Sequence, residues 1–165
     1  PIGNNDYKPS VARWNMATGE INPMPYEYPD LKKVRFIYAA SAEHQLYVQC
    51  YTQYDLMTIC DFNGNLKCNI YGPKWVNEKT QTQHYSLGVE FCGDKILALY
   101  PGGDHRTDAY YPTKFLVFDL NGNYLKTLET GYMITDFCYD KENNRLIINL
   151  NDEIQFAYLD LEGII

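Results

Sequence analysis

The sequence predicts an all-β chain made of β-propeller blades, each of four antiparallel strands, and three observations predict it. A short turn phrase recurs along the chain. The segments between its copies read as short apolar strands. No stretch holds a helical period across 11 residues. The phrase appears as Asp61-Phe62-Asn63-Gly64, Asp119-Leu120-Asn121-Gly122 and Asp160-Leu161-Glu162-Gly163, with a looser copy from Trp14 to Ile21. Its glycines stand at 19, 64, 122 and 163, giving intervals of 45, 58 and 41 residues. A repeat of about 40 to 50 residues built from strands is one that buries its faces only by stacking on its neighbours, as propeller blades do.

Taken in order, residues 11–30 supply the outer two strands of a preceding blade, at 11–16 and 21–24. Residues 31–73 form a blade with strands at 34–40, 45–52, 56–62 and 66–71. Asn63-Gly64 reads as a two-residue type I′ hairpin turn between the last two. Residues 84–131 repeat the plan at 86–92, 95–100, 115–120 and 124–129, with an insertion at 101–114 that explains the 58-residue interval. Residues 132–165 form a blade with strands at 133–139, 145–150 and 154–161 that lacks its last strand. The total is about three and a half blades. The insertion and the polar linker 74–84 are the two long connections, and a connection of that length in an economical repeat is either functional or poorly ordered.

The net charge is −7, which argues against nucleic acid or an anionic membrane surface as partner, since both need a basic footprint. No window approaches the ~18 apolar residues of a membrane-spanning helix. Sixteen tyrosines suit half-buried strands, where the ring packs and the hydroxyl reaches water. The five cysteines lie singly, without a C-x-x-C pair, and read as small core hydrophobes. A Cys50–Cys60 bridge between neighbouring strands is conceivable, but nothing in the sequence supports it.

Two groups of residues could carry function. Glu90-Phe91-Cys92 and Asp136-Phe137-Cys138 occupy equivalent first-strand positions, with Arg35-Phe36-Ile37 as the counterpart in the blade before. Each Phe is expected between blades while Arg35, Glu90 and Asp136 face the central channel, because successive strand residues point to opposite sides. The second group lies in the insertion: Asp104, His105, Arg106 and Asp108, flanked by Tyr110 and Tyr111. Asp104, His105 and Asp108 are the candidate ligands of calcium or another divalent cation, although their spacing matches no EF-hand or H-E-x-x-H pattern. No cofactor is otherwise expected. Trp14 and Trp75 read as packing residues before glycan platforms, and His44 and His84 fall in connections without an assigned role.

The D-h-N-G-N turn, the four-stranded units and the phrase Ile134-Thr135-Asp136-Phe137-Cys138-Tyr139-Asp140 resemble the TolB-like six-bladed propeller proteins of bacteria, and the turn is similar to that of the wider group with NHL repeats. The resemblance spans residues 11–165. It implies a binding scaffold without catalysis of its own, in the periplasm or cell envelope, and the acidic balance favours a protein, peptide, glycan or cation as ligand over an anionic polymer. The alternative the resemblance carries is a metal-assisted propeller hydrolase or lyase with its site at the channel mouth. Six blades need about 270 residues, so the chain corresponds to the C-terminal half of a longer ring or to a half-ring that two copies complete. Either way, exposed blade edges predict self-association.

Overall fold

A computed structural model describes residues 11–24, 31, 34–104, 106–107 and 110–165 of the chain. The secondary structure is strands. Strands β3 (Phe36–Ser41), β4 (Leu46–Tyr51), β5 (Leu56–Asp61) and β6 (Leu66–Tyr71) form a four-stranded antiparallel sheet in chain order. The second such sheet is β8 (Val89–Cys92), β9 (Lys95–Leu99), β11 (Lys114–Asp119) and β12 (Tyr124–Glu129). A three-stranded sheet follows, from β13 (Ile134–Asp140), β14 (Arg145–Leu150) and β15 (Phe156–Asp160). Ahead of all three lies the hairpin β1 (Ala12–Trp14) and β2 (Ile21–Pro23). Each predicted strand is present within a few residues of its expected ends.

Packing between sheets follows from the two-residue period of a strand. In β9, Ile96 and Ala98 enter the core shared with the first sheet, while Leu97 and Leu99 enter the core shared with the third. In β11, Phe115 and Val117 take the second core, and Phe118 takes the first. A strand buried on both sides must be apolar at every position, which is how these two read. Phe137 fills the gap between second and third blades, edge-on to Phe115 at 4.9 Å, and Phe91 packs against the core between first and second. Phe36 instead meets Tyr51 and a third, smaller cluster with Leu31, Val34, Tyr54 and Leu56.

The recurring turn has a physical reason, and it is not the one the dipeptide suggested. A type I′ turn needs positive φ at two residues. Here Gly64 (87°) and Gly122 (86°) adopt it, whereas Asn63 and Asn121 do not. The amide N–H of Gly64 donates to the Asp61 carbonyl at 3.0 Å, and the register slips by one residue between Ile59 and Cys60. The turn is therefore a three-residue loop, Phe62 to Gly64, closed between Asp61 and Asn65, with a bulge at Lys67 in the returning strand. Asp61 holds it by accepting from the backbone N–H of Asn63 (2.8 Å) and Asn65 (2.9 Å) and from the Asn65 side chain (2.7 Å). Asp119 does the same with Asn121 and Asn123. In the looser copy the Asn15 side chain accepts from the Ala17 N–H.

A cation on each unit's outer strands then ties it to the next unit's turn. Arg13 donates to the Phe62 carbonyl at 2.7 Å, Lys67 to the Leu120 carbonyl at 3.0 Å, and Lys126 to the Ile164 carbonyl. The lysines are those of the repeated Asn-Leu-Lys and Asn-Tyr-Leu-Lys phrases.

All five cysteines are free: Cys50, Cys60 and Cys92 are buried, and Cys138 is exposed. A Cys50–Cys60 bridge is excluded by register. Cys50 pairs across from Met57, and Cys60 across from Tyr47, so the two thiols lie on opposite faces of one sheet. Trp75 packs against Tyr54 and Tyr71, with ring centroids 6.1 and 4.8 Å apart, while Trp14 on β1 is exposed.

Candidate functional site

Antiparallel order places the working loops at one end of the blades. Each first strand begins where its second strand ends, as Phe36 pairs with Tyr51 and Val89 with Ala98. The blade-to-blade linker and the insertion after β9 share that end, and the glycine turns occupy the other. The two long connections meet there. Gly103 and Asp104 of the insertion pair with Gln83 and Thr82 of the linker as a two-stranded ribbon, β7 (Thr82–Gln83) and β10 (Gly103–Asp104). Neither strand is predicted by the sequence, because two residues carry no readable period.

The ribbon is braced from below by a buried polar cluster. Asp55 and His84 are each 1% exposed. The Tyr100 hydroxyl donates to the Asp55 carboxylate at 3.2 Å and lies 3.2 Å from His84 Nδ1. Asp55 also accepts the Lys74 backbone N–H at 2.9 Å, and His84 Nε2 lies 3.2 Å from the Thr80 hydroxyl. Burial lowers the pKa of His84 below its ordinary value against the pull of Asp55, leaving the ring neutral at pH 7. The order Asp55, His84, Thr80 resembles a nucleophile triad, but the chemistry does not follow. The Thr80 hydroxyl is engaged by the carbonyls of Gln53 and Thr82 at 3.1 Å each, and the cluster is closed to substrate. It is a strut that sets the linker on the second blade. His84, unassigned from sequence, is its centre.

Between the ribbon and the first blade lies a polar cleft of about 320 Å³. The first blade contributes Arg35, one residue before β3, with Thr52 and Gln53 from the β4–β5 connection. The linker adds Lys79, Gln81 and Gln83, and the insertion adds Tyr110. Backbone bonds fix its walls: Thr52 N–H donates to the Arg35 carbonyl at 2.9 Å, and His84 N–H to the Thr52 carbonyl at 2.8 Å. The Gln53 side-chain amide donates to the Thr80 carbonyl at 3.3 Å. Tyr110 stands edge-on to Tyr111 at 5.3 Å, which orients both rings.

Of the residues singled out from sequence, Arg35 and Tyr110 come together in this cleft, with Tyr111 behind Tyr110. Arg106 turns back on Asp104 instead, its Nε 3.3 Å from the carboxylate and its backbone N–H donating to it at 2.9 Å. His105 and Asp108 lie outside the described residues. Among the described residues no group of three or more His, Cys, Asp or Glu side chains is placed to hold a metal ion.

Glu90 and Asp136 sit second and third in the neighbouring strands β8 and β13, Glu90 half-buried and Asp136 exposed. Burial first, and the charge of Asp136 second, raise the Glu90 pKa. Lys79 and the three glutamines escaped the sequence reading, since nothing local marks a linker residue as facing another loop.

Comparison with solved structures places this architecture. Hydrazine synthase of Kuenenia stuttgartiensis superposes with a TM-score of 0.62 at 12% identity, over 93% of this chain and 40% of that one. A nidogen/laminin complex superposes with a TM-score of 0.59 at 13% identity, over 92% of this chain and 52% of that one. The fold is that of β-propeller blades. At such identities the likeness speaks to fold alone, and the chain spans about 40% to 52% of the chains it matches. No protein-family profile matches the sequence, and no curated protein matches it either. Among the described residues no helix is long and apolar enough to cross a membrane.

Proposed function

We propose that this propeller module is a binding scaffold without catalysis of its own, and that it holds its ligand in the cleft between the paired loops and the first blade. The observation that supports the reading most is that pairing. Two long connections, each dispensable to blade geometry, find one another and enclose a cleft with seven polar side chains around it. Small-ligand sites begin at about 300 Å³, and this cleft is of that size. The six-bladed ring, and a place in the periplasm or cell envelope, belong to the same proposal and rest on the turn motif. A protein partner is the second binding mode, in keeping with the structural neighbour that comes from a nidogen/laminin complex.

The competing reading is a metal-assisted hydrolase or lyase at Glu90 and Asp136. Its support is the raised Glu90 pKa, due to burial first and to the charge of nearby Asp136 second. Thermal-shift titration separates the two. Saccharides and short polar peptides are offered to the native protein and to an Arg35→Gln/Lys79→Gln variant, and calcium and zinc to the native protein and a Glu90→Gln/Asp136→Asn variant. The binding reading expects an organic ligand to raise Tm in the native protein and not in the first variant. A rise with metal that the second variant abolishes would favour the enzyme and overturn the binding reading.

A further inference from the structure

We infer that the cleft recognises a small hydroxylated carboxylate of the uronic-acid type, free or at the end of a saccharide chain; this rests on the cleft being the ligand site. The first argument is charge. The chain carries −7 overall, yet the described residues around the cleft include two cations, Arg35 and Lys79, and no carboxylate. Neither cation has a carboxylate partner among the described residues. Among the described residues Arg35 is joined to the fold through its backbone carbonyl, which accepts from the Thr52 N–H and hydroxyl. A guanidinium at the wall of a cleft, with no acceptor for its donors among the described residues, suits a planar carboxylate that can take two of them at once.

The second argument is the remaining chemistry. Gln53 and Gln83 bring amide groups that both donate and accept, the Tyr110 hydroxyl does the same, and the Thr52 hydroxyl, which donates to the Arg35 carbonyl, still accepts. A phosphate or sulfate at pH 7 chiefly accepts, and would leave the amide oxygens without a donor. Sugar hydroxyls give and take at each position around a ring. A peptide would match the amides but would bring apolar side chains to a cleft whose described lining is polar apart from the Tyr110 ring. That ring, edge-on to Tyr111, gives the cleft lining an aromatic surface of the kind on which the C–H side of a pyranose packs. The cleft volume of about 320 Å³ admits one or two sugar rings and no long segment of polymer.

Isothermal titration with D-glucuronate, D-glucose and succinate tests each part, with galacturonate trimer as a fourth arm for a chain end. The expectation is that glucuronate binds more tightly than succinate, which lacks the ring hydroxyls, and about tenfold or more tightly than glucose, as one charge-assisted contact is worth about that factor. Arg35→Gln should lose that margin without changing Tm, Lys79→Gln should lose part of it, and added salt should weaken glucuronate and spare glucose. Glucose or succinate binding as tightly as glucuronate, in an Arg35-dependent way, would overturn the ligand class and leave the cleft as the site. Heat from none of the four, or heat that neither substitution changes, would overturn both the class and the cleft reading. Tighter binding of the trimer than of glucuronate would assign the ligand to a chain end, and equal binding to the free sugar.

Discussion

At the scale of single residues, the carboxylates divide by what surrounds them. Glu90 is half-buried beside Asp136, and both effects raise its pKa above 4.5. A carboxyl whose pKa is raised on folding opposes folding once ionised, so its penalty is full above the folded pKa and absent below the unfolded one. Glu90→Gln is therefore expected to raise Tm at neutral pH, with the gain shrinking to nothing as pH falls below about 4.5. A gain that persists in acid would mean that the charge is not the cause. Gly72 shows a steric version of the same argument. A Cβ there would stand 2.2 Å from the Asp55 carboxyl carbon, and Asp55 is pinned by Tyr100 and the Lys74 N–H. Gly72→Ala should cost about 1–3 kcal/mol, the usual range for overpacking, read as a lower urea midpoint; an unchanged midpoint would show that the strut yields.

The elements were legible where their residues speak locally. Strands β9 and β11 announce themselves as unbroken apolar runs, and β13 by its likeness to β8, so blade order follows from the repeat alone. The turn phrase was legible as a turn, but its type was not. The dipeptide Asn-Gly favours a type I′ turn until Asp61 and Asp119 are seen to gather the following amides, which selects the bulged loop. Both carboxyls have lowered pKa values, chiefly through Asn65 and Asn123 respectively. A carboxyl lowered on folding stabilises above its unfolded pKa, and the benefit disappears as pH falls through the folded one. Asp119→Ala is thus expected to lower Tm at pH 7, with native protein and variant converging in strong acid; parallel curves would point to packing. Strands β7 and β10 were invisible for the opposite reason. Their pairing depends on two connections about twenty residues apart in sequence meeting in space, and the cleft exists only through that meeting. Arg35 and Tyr110 could be suspected from repeat position and insertion chemistry. Lys79, Gln81 and Gln83 could not.

Over the whole molecule, the two flanking faces differ from the two buried interfaces. Beyond the first blade, an apolar cavity of about 440 Å³ lies between Phe36, Tyr38 and Ala40 of β3 and Ala12, Arg13 and Met24 at the base of the β1–β2 hairpin. Beyond the third, Phe156 and Tyr158 of β15 are 67% and 63% exposed. Apolar faces and open strand edges of this kind associate. The 165-residue chain by itself is expected to scatter light as a dimer or larger species, with Phe156→Ser/Tyr158→Ser reducing the mass; a stable native monomer would contradict this. The central claim, however, is the cleft. Its most direct measurement is an NMR spectrum of the isotope-labelled protein as D-glucuronate is added. The account expects the side-chain amide signals of Gln53, Gln81 and Gln83 to move together with the backbone signals of Thr52 and Lys79. Shifts gathered instead at Glu90 and Asp136, or along the faces of the first and third blades, would contradict it.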